Sequence, residues 1–294
     1  MNLSSTKNNV ISLLFNCDGV QLYKSSATKI WPLYAVVNEL SPNLRFLKRN
    51  TILCGLWQGQ GKVPLTSMLT LFIRNMNDLS QTGLRFVPYG LEEDVTCSAK
   101  AIVCTADLPA KADMLCMNHH NGKFSCLVCE EPDRQVARGR GHVHAIPFNR
   151  ALQKRTNESF VRNAHQAVTS SQTVKGIKSA CPLLLLNDFY PVTAAVIDYL
   201  HCVLLGVTKS LLHRWTDVSS RGCPYFIRDD INTVDERLRN IHPPDFVRRF
   251  SREIGKWLPN WKASEYRSWL LYYGIPCLQG ILPTMYLRNF CPFG

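Results

Sequence analysis

Three acidic residues of the 294-residue sequence are placed where divalent cations could be held for chemistry on a phosphodiester. Asp18 directly follows the apolar run from Val10 to Cys17, and Asp107 directly follows a second extended stretch, from Val95 to Ala106. Glu265 lies near the start of a later helical segment. Two-metal phosphoryl transfer needs carboxylates that lie close together, because two Mg²⁺ ions about 4 Å apart must activate the attacking oxygen and stabilise the leaving oxygen. The pattern predicts such an acidic triad.

Each acid also has an ordinary structural interpretation. Asp18 before Gly19 is typical of a turn, and Asp107 before Leu-Pro is typical of a helix N-cap. A glutamate in the first turn of a helix, such as Glu265, is favoured by the helix dipole. The metal site is preferred because all three acids lie where two strand ends and one helix would bring them together.

A cysteine pair could hold a second kind of metal. Cys126 and Cys129 have the two-residue gap that lets both thiolates reach one tetrahedral Zn²⁺, and two further ligands would be needed. His201 is the first choice, since it follows Asp198 by three residues and both fall on one face of a predicted helix. The alternative for these two residues is a local hydrogen-bonded pair.

Two other histidines are alternative zinc ligands. His142 and His144 alternate as in a strand, where both side chains point to the same face. They could equally be surface residues of a basic loop. With twelve cysteines and no secretory signal at the N-terminus, the remaining thiols are expected to be reduced and mostly buried.

The elements that would position these residues are read from periodicity and from turn residues. Apolar residues at helical spacing between Pro64 and Leu79 predict a helix that stops before Gly83. A further short helix is expected from Pro109. The predicted strands are 10–17, 20–23, 30–38 and 95–106, and the predicted late helices are 191–215, 229–241 and 264–273.

Three hairpin-connected strands, a helix, a fourth strand and later helices are the order of elements expected of an RNase H-like core. We therefore predict the α/β class: an RNase H-like mixed sheet flanked by helices, with a zinc-binding and helical insertion before the last catalytic helix. The predicted divisions are 1–117 for the first part of the core, 118–190 for the basic insertion with the cysteine pair, and 191–294 for the helical region.

Several blocks of the sequence, in order along almost the whole chain, resemble the CACTA (En/Spm-like) DNA transposases of animals and plants. They are NCDGVQLYKSS (16–26), WPLY (31–34), NELSPNLR (38–45), DLPA (107–110), CLVC (126–129), DYLHCVLLG (198–206) and WKASE (261–265). The resemblance implies an RNase H-like catalytic core whose three acids correspond to Asp18, Asp107 and Glu265. Glu253 and Asp245 are the alternatives for the third acid.

The charge balance favours a polyanionic partner. Lys and Arg number 34 against 22 Asp and Glu, a net charge of +12, which favours nucleic acid through phosphate neutralisation. No stretch is apolar for the roughly 18 residues that a membrane span needs. The arginines expected to contact DNA phosphates are Arg138, Arg140, Arg155, Arg248, Arg249 and Arg267.

The resemblance and the charge together predict a nuclear, transposon-encoded DNA transposase core that cleaves and transfers DNA strands at element ends with Mg²⁺ or Mn²⁺. Its partners would be transposon ends, target DNA and further copies of itself, with no membrane partner. Zn²⁺ is a possible second cofactor at the cysteine pair. The alternative is a catalytically inactive, transposon-derived protein that binds DNA or protein.

Overall fold

The computed structural model describes residues 9–21, 27–90, 92–138, 141–146, 151–242, 244–247 and 250–290. The chain forms two compact units, Met1–Ile197 and Asp198–Gly294. The predicted insertion at 118–190 thus lies within the first unit. The predicted boundary at 191 precedes the division of the units by seven residues.

The first unit alternates strands and helices. Its strands are β1 (Asn9–Cys17), β2 (Val20–Gln21), β3 (Lys29–Val37), β4 (Thr51–Gly59), β5 (Leu84–Phe86), β6 (Val95–Thr105), β7 (Arg134–Arg138), β8 (Gly141–Ala145) and β9 (Ala195–Val196). Its α-helices are α1 (Pro42–Arg45), α2 (Leu65–Thr82), α3 (Leu108–Met114), α4 (Asn157–Ser170) and α5 (Pro191–Ala194), with short 3₁₀ turns at Lys48–Asn50 and Pro182–Leu185.

The described secondary-structure elements of the second unit are all helical. Its α-helices are α6 (Lys209–Thr216), α7 (Ile231–Asn240), α8 (Ile254–Trp257), α9 (Ala263–Ser268), α10 (Gly274–Leu278) and α11 (Thr284–Phe290). Tyr199–Thr208 and Trp269–Tyr273 are π-helical, and Val218–Ser220, Arg228–Asp230 and Leu258–Asn260 are 3₁₀ turns. None of the described helices is long and apolar enough to cross a membrane.

A mixed, seven-stranded sheet is the centre of the first unit, which confirms the predicted α/β class. β3 lies between β1 and β4 and is antiparallel to both. On its other side β1 pairs with β6 in parallel, and β6 pairs in parallel with β9. β1 and β6 are therefore neighbours whose carboxyl ends leave the same edge of the sheet.

Helix α2 covers one face of this sheet. It buries Leu65, Leu69, Phe72, Ile73 and Met76, the apolar residues that recur at helical spacing. Its C-terminus ends at a glycine with φ of 70°, a conformation that residues with a side chain rarely adopt. The helix and the sheet share one apolar core, in which the ring centroids of Phe15 and Phe72 are 5.1 Å apart.

The second unit has an aromatic core of its own. Tyr266, Trp269 and Tyr273 are buried, and Trp261 packs edge-on against Tyr266 with ring centroids 5.4 Å apart. The Nε2 atom of His213 lies 3.1 Å from the hydroxyl of Tyr266. This cluster fixes α9, the helix that carries Glu265.

The observed elements correct the predicted ones at several places. β4 was not predicted, although it pairs with β3 over most of its length. The predicted helix 191–215 is wrong near its start, because residues 195–196 form β9. The basic segment also contains the hairpin β7–β8, in which His142 pairs with Ala137 and His144 with Gln135.

Candidate active site

The register of β1 and β6 determines where the first two acids emerge. Asn16 of β1 pairs with Thr105 of β6, and the Asn16 side-chain amide donates to the Thr105 carbonyl at 2.8 Å. Asp18 lies two residues after Asn16, and Asp107 lies two residues after Thr105. Two carboxylates predicted from strand ends thus leave neighbouring strands at one edge of the sheet.

Asp18 lies in a tight turn. The Gly19 amide donates to Oδ1 of Asp18 at 2.7 Å. A Cβ atom on residue 19 would lie 2.5 Å from the Trp31 ring, closer than real contacts allow. The packing of Trp31 therefore requires glycine here and fixes the backbone beside the first carboxylate.

Asp107 is the N-cap of α3, as its ordinary structural interpretation also predicts. Its Oδ1 accepts the Ala110 amide at 2.8 Å, which satisfies one of the free donors at the helix start. One turn later the buried ammonium group of Lys111 donates to the Val196 carbonyl of β9. A positive charge therefore lies inside the first unit, at the base of α3.

Glu265, the predicted third acid, belongs to the second unit and is fully buried there. Arg252 donates to both of its oxygens, from Nε to Oε1 at 2.6 Å and from Nη2 to Oε2 at 3.0 Å. Oε2 also accepts the Lys262 amide at 2.8 Å. Both carboxylate oxygens are engaged, so metal binding by Glu265 requires Arg252 to move away.

The electrostatics of Glu265 agree with this bonding. Burial alone would raise the pKa of its carboxyl group, but hydrogen bonds from Arg252 and from the Lys262 amide outweigh burial. The pKa therefore lies below its usual value. The charged form is stabilised by the Arg252 guanidinium and the Lys262 amide.

The two alternatives for the third acid differ in their surroundings. Glu253 pairs with Arg239 at 2.7 Å on the surface. Asp245 is exposed in a turn. Both lie in the second unit, like Glu265.

The Cys126–Cys129 pair lies in a loop that the buried Arg155 organises. Arg155 Nε donates to the Cys126 carbonyl at 3.2 Å, and Nη2 donates to the carbonyls of Lys175 at 2.9 Å and Cys129 at 3.4 Å. The assignment of Arg155 to DNA phosphates is therefore wrong, because its side chain has no exposed surface. Its position next to the cysteine motif was not apparent from the sequence.

Two of the histidines proposed as zinc ligands, His201 and His144, have carboxylate partners. His201 Nδ1 lies 2.5 Å from Asp198 Oδ2, so the local pair considered above does form. Burial raises the pKa of Asp198, but hydrogen bonds from His201 and the backbone outweigh it and lower the pKa below its usual value. His144 is bonded through Nδ1 to the buried Asp133, and His142 is exposed on β8.

No three His, Cys, Asp or Glu side chains within the described part of the chain form a group that could hold a metal ion. Zinc at Cys126 and Cys129 stays a prediction. Magnesium or manganese at Asp18 and Asp107 stays a prediction as well.

The other arginines predicted to contact DNA differ in their exposure and in whether the structure describes them. Arg267 is exposed on α9, and Arg138 is the last residue of β7. Arg140, Arg248 and Arg249 lie outside the described residues. Arg267 is thus the predicted contact whose exposure fits a phosphate-binding role.

Sequence reasoning missed one charged residue beside a predicted acid in each unit. Lys111 follows Asp107 by four residues, a helical spacing that could have drawn attention to it. Arg252 precedes Glu265 by thirteen residues across irregular structure, so no sequence periodicity links the two. Contacts of this second kind become visible only in the folded chain.

Comparison with known proteins gives no family for the chain. No model of a known protein family matches it, and no curated protein matches it. The interpretation of the site therefore depends on the strand register, the side-chain contacts and the sequence blocks described above.

Proposed function

We propose that the chain is the catalytic core of a DNA transposase that cleaves and transfers DNA strands with the help of divalent metal ions. The proposal rests on the positions of Asp18 and Asp107. Each lies two residues after the paired residues Asn16 and Thr105 of two adjacent parallel strands. The two carboxylates are 89 positions apart in the sequence and are brought to one edge of the sheet by the parallel pairing of β1 and β6.

The strand order supports an RNase H-like core. Three successive long strands, β1, β3 and β4, pair antiparallel, α2 follows, and β6 then returns beside β1. The strands before Asp18 and Asp107 and the helix between them were predicted from the sequence, whereas β4 was not. The CACTA-like blocks include the residues around both aspartates.

The donor set at this edge suits Mg²⁺ or Mn²⁺. Magnesium is usually held by one or two carboxylates, with water and substrate phosphates completing six oxygen ligands. Asp18 and Asp107 supply two carboxylates, and each fixes its own position by bonding one oxygen to a nearby amide. Metal ions bound there would activate the attacking oxygen and stabilise the leaving oxygen of the phosphodiester.

The roles of the chain's own residues follow from this geometry. Asp18 and Asp107 would hold the ions at the sheet edge. Water would attack the phosphodiester at the element end, and the freed 3′-hydroxyl would then attack target DNA. Exposed arginines such as Arg267 would contact the phosphate backbone.

The wider setting is part of the same proposal. A transposase of this kind would act in the nucleus, as an oligomer assembled on the element ends. Its DNA partners would be those ends and the target. The net charge of +12 supports contact with DNA.

Cleavage of terminal-repeat DNA tests the proposal. The purified chain is incubated with Mg²⁺ or Mn²⁺ and a DNA that carries terminal inverted repeats. Cleavage is expected for the wild type and for Asp78→Asn, a control on the exposed side of α2, and is expected to fall at least a hundredfold in Asp18→Asn and Asp107→Asn. Full cleavage by either of these two variants would contradict the proposal.

A second function is favoured by the bonding of Glu265. Because Arg252 and Lys262 engage both oxygens of Glu265, an inactive descendant that only binds DNA or protein is the alternative. It predicts salt-sensitive DNA binding without cleavage at any Mn²⁺ concentration. The same assay therefore separates the two functions.

A further inference from the structure

The second unit contains a cleft that the proposed function does not use. It has a volume of about 430 Å³ and lies between the end of α6 and the starts of α7 and α8. Pockets that bind small molecules have volumes of roughly 300–1,000 Å³, so the cleft has the size of a ligand site. All of its lining residues belong to this one unit.

The base of the cleft is apolar and its backbone is fixed. Ile254 and Leu258 line it and are buried. The Ile254 amide donates to Oδ1 of Asp235 at 2.6 Å, and the Gly255 amide donates to Oδ2 at 3.0 Å. Asp235 of α7 therefore holds the start of α8 in place, and this apolar surface exists before any ligand binds.

An imidazole ring completes the lining on the side of α6. His213 Nε2 lies 3.1 Å from the hydroxyl of the buried Tyr266, which fixes the position of the ring. Burial lowers the pKa of His213 and the charge of Lys209 lowers it further, although Asp217 acts in the opposite direction. The ring is therefore uncharged at neutral pH and adds a planar surface to the cleft.

The rim of the cleft carries two opposite charges, on the exposed side chains of Asp217 and Arg228. Arg228 Nη1 donates to the Thr216 carbonyl at 3.3 Å, and Asp217 Oδ1 accepts the Ser219 amide at 2.8 Å. Hydrogen bonds from Ser219 lower the pKa of Asp217, and the charge of Arg228 lowers it further. The rim thus offers a carboxylate that only accepts hydrogen bonds and a guanidinium that only donates them.

A planar heterocycle with donors beside acceptors matches this arrangement. Aliphatic side chains and a neutral ring suit its faces, while the two charged groups suit its edge. Guanine has N–H donors on two adjacent nitrogen atoms, N1 and N2, which one carboxylate can accept together. Its O6 and N7 atoms are the acceptors to which arginine donates in protein–DNA complexes. Adenine, cytosine and thymine lack this pair of adjacent donors.

We propose that the cleft binds a guanine base, with Asp217 accepting from N1 and N2, Arg228 donating to the acceptor edge, and Ile254 and Leu258 contacting the ring. The base could come from a free mononucleotide or from a single DNA strand, whose bases are accessible. The proposal goes beyond the proposed function and does not depend on DNA cleavage.

Isothermal titration calorimetry of the whole chain with guanosine, inosine and adenosine monophosphates tests the proposal. Inosine monophosphate differs from guanosine monophosphate only in lacking the 2-amino group, so it cannot make one of the hydrogen bonds to Asp217. Guanosine monophosphate is expected to bind at least about tenfold more tightly than either of the other two. Equal affinity for all three, which would indicate binding of the phosphate alone, would overturn the proposal. So would the absence of binding at millimolar concentrations.

Variants at the rim assign the contacts. Asp217→Asn should abolish the preference for guanosine over adenosine monophosphate, and Arg228→Met should weaken binding of guanosine monophosphate at least about tenfold. Arg221 and Asp229 form an exposed pair at 3.3 Å that does not line the cleft. Arg221→Met and Asp229→Asn are therefore the matched controls and should keep wild-type affinity and preference.

An unchanged preference in folded Asp217→Asn would contradict the proposed contact. If a rim variant does not fold, as judged by circular dichroism, the comparison of guanosine and inosine monophosphates on the wild type still decides.

Single-stranded oligonucleotides separate the two sources of the base. A thymidine oligonucleotide that contains one dG is compared with the same strand containing deoxyinosine, each as a competitor of guanosine monophosphate. Stronger competition by the dG strand supports the proposal with a DNA strand as the source. Equal competition by the two strands, together with selective binding of guanosine monophosphate, supports it with a mononucleotide as the source.

Discussion

Asp18 and Asp107 each bond one carboxylate oxygen to a nearby backbone amide, Gly19 for the first and Ala110 for the second. Such bonds restrict the rotation of each side chain and fix the direction of its other oxygen. The turn and helix-cap interpretations of these residues are therefore compatible with a metal-binding role. A capping aspartate at a strand end is a carboxylate whose position is already determined.

Arg155 is expected to stabilise the fold rather than to bind DNA. Arg155→Met removes the hydrogen bonds to the carbonyls of the cysteine loop and leaves Glu130 buried beside an apolar side chain. The free energy of unfolding should fall by about 3 kcal/mol, as when one partner of a buried ion pair is removed. Urea unfolding followed by circular dichroism measures the change.

The exposed Arg267 provides the matched control for Arg155. Arg267→Met should change the free energy of unfolding by no more than about 0.5 kcal/mol, since it removes a surface side chain. An Arg155→Met protein of unchanged stability and weakened DNA binding would restore Arg155 as a phosphate contact.

The Arg252–Glu265 pair should make stability depend on pH. Because the pKa of Glu265 in the folded chain lies below its usual value, the stabilisation is complete above the unfolded pKa and is lost as pH falls through the folded pKa. Glu265→Gln is therefore expected to lower the free energy of unfolding by about 3 kcal/mol at pH 7, and the difference should shrink below the usual glutamate pKa of about 4.3.

Unfolding titrations of both proteins between pH 3 and pH 7 measure this dependence. Glu236→Gln, at an exposed position on α7, serves as the control. It should change the free energy of unfolding by no more than about 0.5 kcal/mol at any pH. If wild type and Glu265→Gln differ in free energy of unfolding by the same amount down to pH 3, the charge of Glu265 does not stabilise the fold.

At the scale of elements, α2 holds the sheet in place. Leu69 is 1% exposed within the core shared by helix and sheet, whereas Leu71 on the opposite side is 57% exposed. Leu69→Ala should lower the free energy of unfolding by about 3 kcal/mol, through lost burial and the cavity that remains. Leu71→Ala should cost no more than about 0.5 kcal/mol, and equal losses in urea unfolding would contradict the described orientation of α2.

The elements that the sequence predicted are those with a clear local pattern. The strand before Asp18, the helix Leu65–Thr82 and the strand before Asp107 were predicted within a few residues. β4 was missed because Ile52, Leu53 and Leu56 are all exposed and the pairing shifts by one residue, which removes the alternation of apolar and polar positions. β9 is only two residues long, so its pairing with β6 is a tertiary effect.

The predicted acids also divide into those with a local sequence pattern and one without. Asp18 and Asp107 could be identified because a strand end is visible in the sequence and parallel neighbours place their ends together. The engagement of Glu265 by Arg252 depends on how residues 252–265 fold, and no spacing rule predicts it. Local sequence patterns therefore predicted the strand-end positions of Asp18 and Asp107. The hydrogen bonds of Glu265 depend instead on tertiary contacts.

At the scale of the whole molecule, the net charge of +12 should make DNA binding strongly dependent on salt. The logarithm of the association constant for duplex DNA should fall linearly with the logarithm of salt concentration. Arg267→Ala should reduce the size of that slope by about 1 if Arg267 contacts one phosphate. Fluorescence anisotropy at several salt concentrations measures both slopes.

The buried Arg155 again provides the comparison. A folded Arg155→Met protein should keep the wild-type slope, since a side chain without exposed surface releases no counterions from DNA. An unchanged slope in Arg267→Ala would remove Arg267 from the DNA interface.

Direct titration with Mn²⁺, followed by electron paramagnetic resonance of the free ion, tests the metal site at the ends of β1 and β6. Wild-type protein and Asp78→Asn should bind Mn²⁺ with the same affinity. Asp18→Asn and Asp107→Asn should each weaken binding at least tenfold, because each removes one of the two carboxylates that emerge together from the sheet. Mn²⁺ binding of wild-type affinity in a protein carrying both substitutions would contradict the proposed metal site.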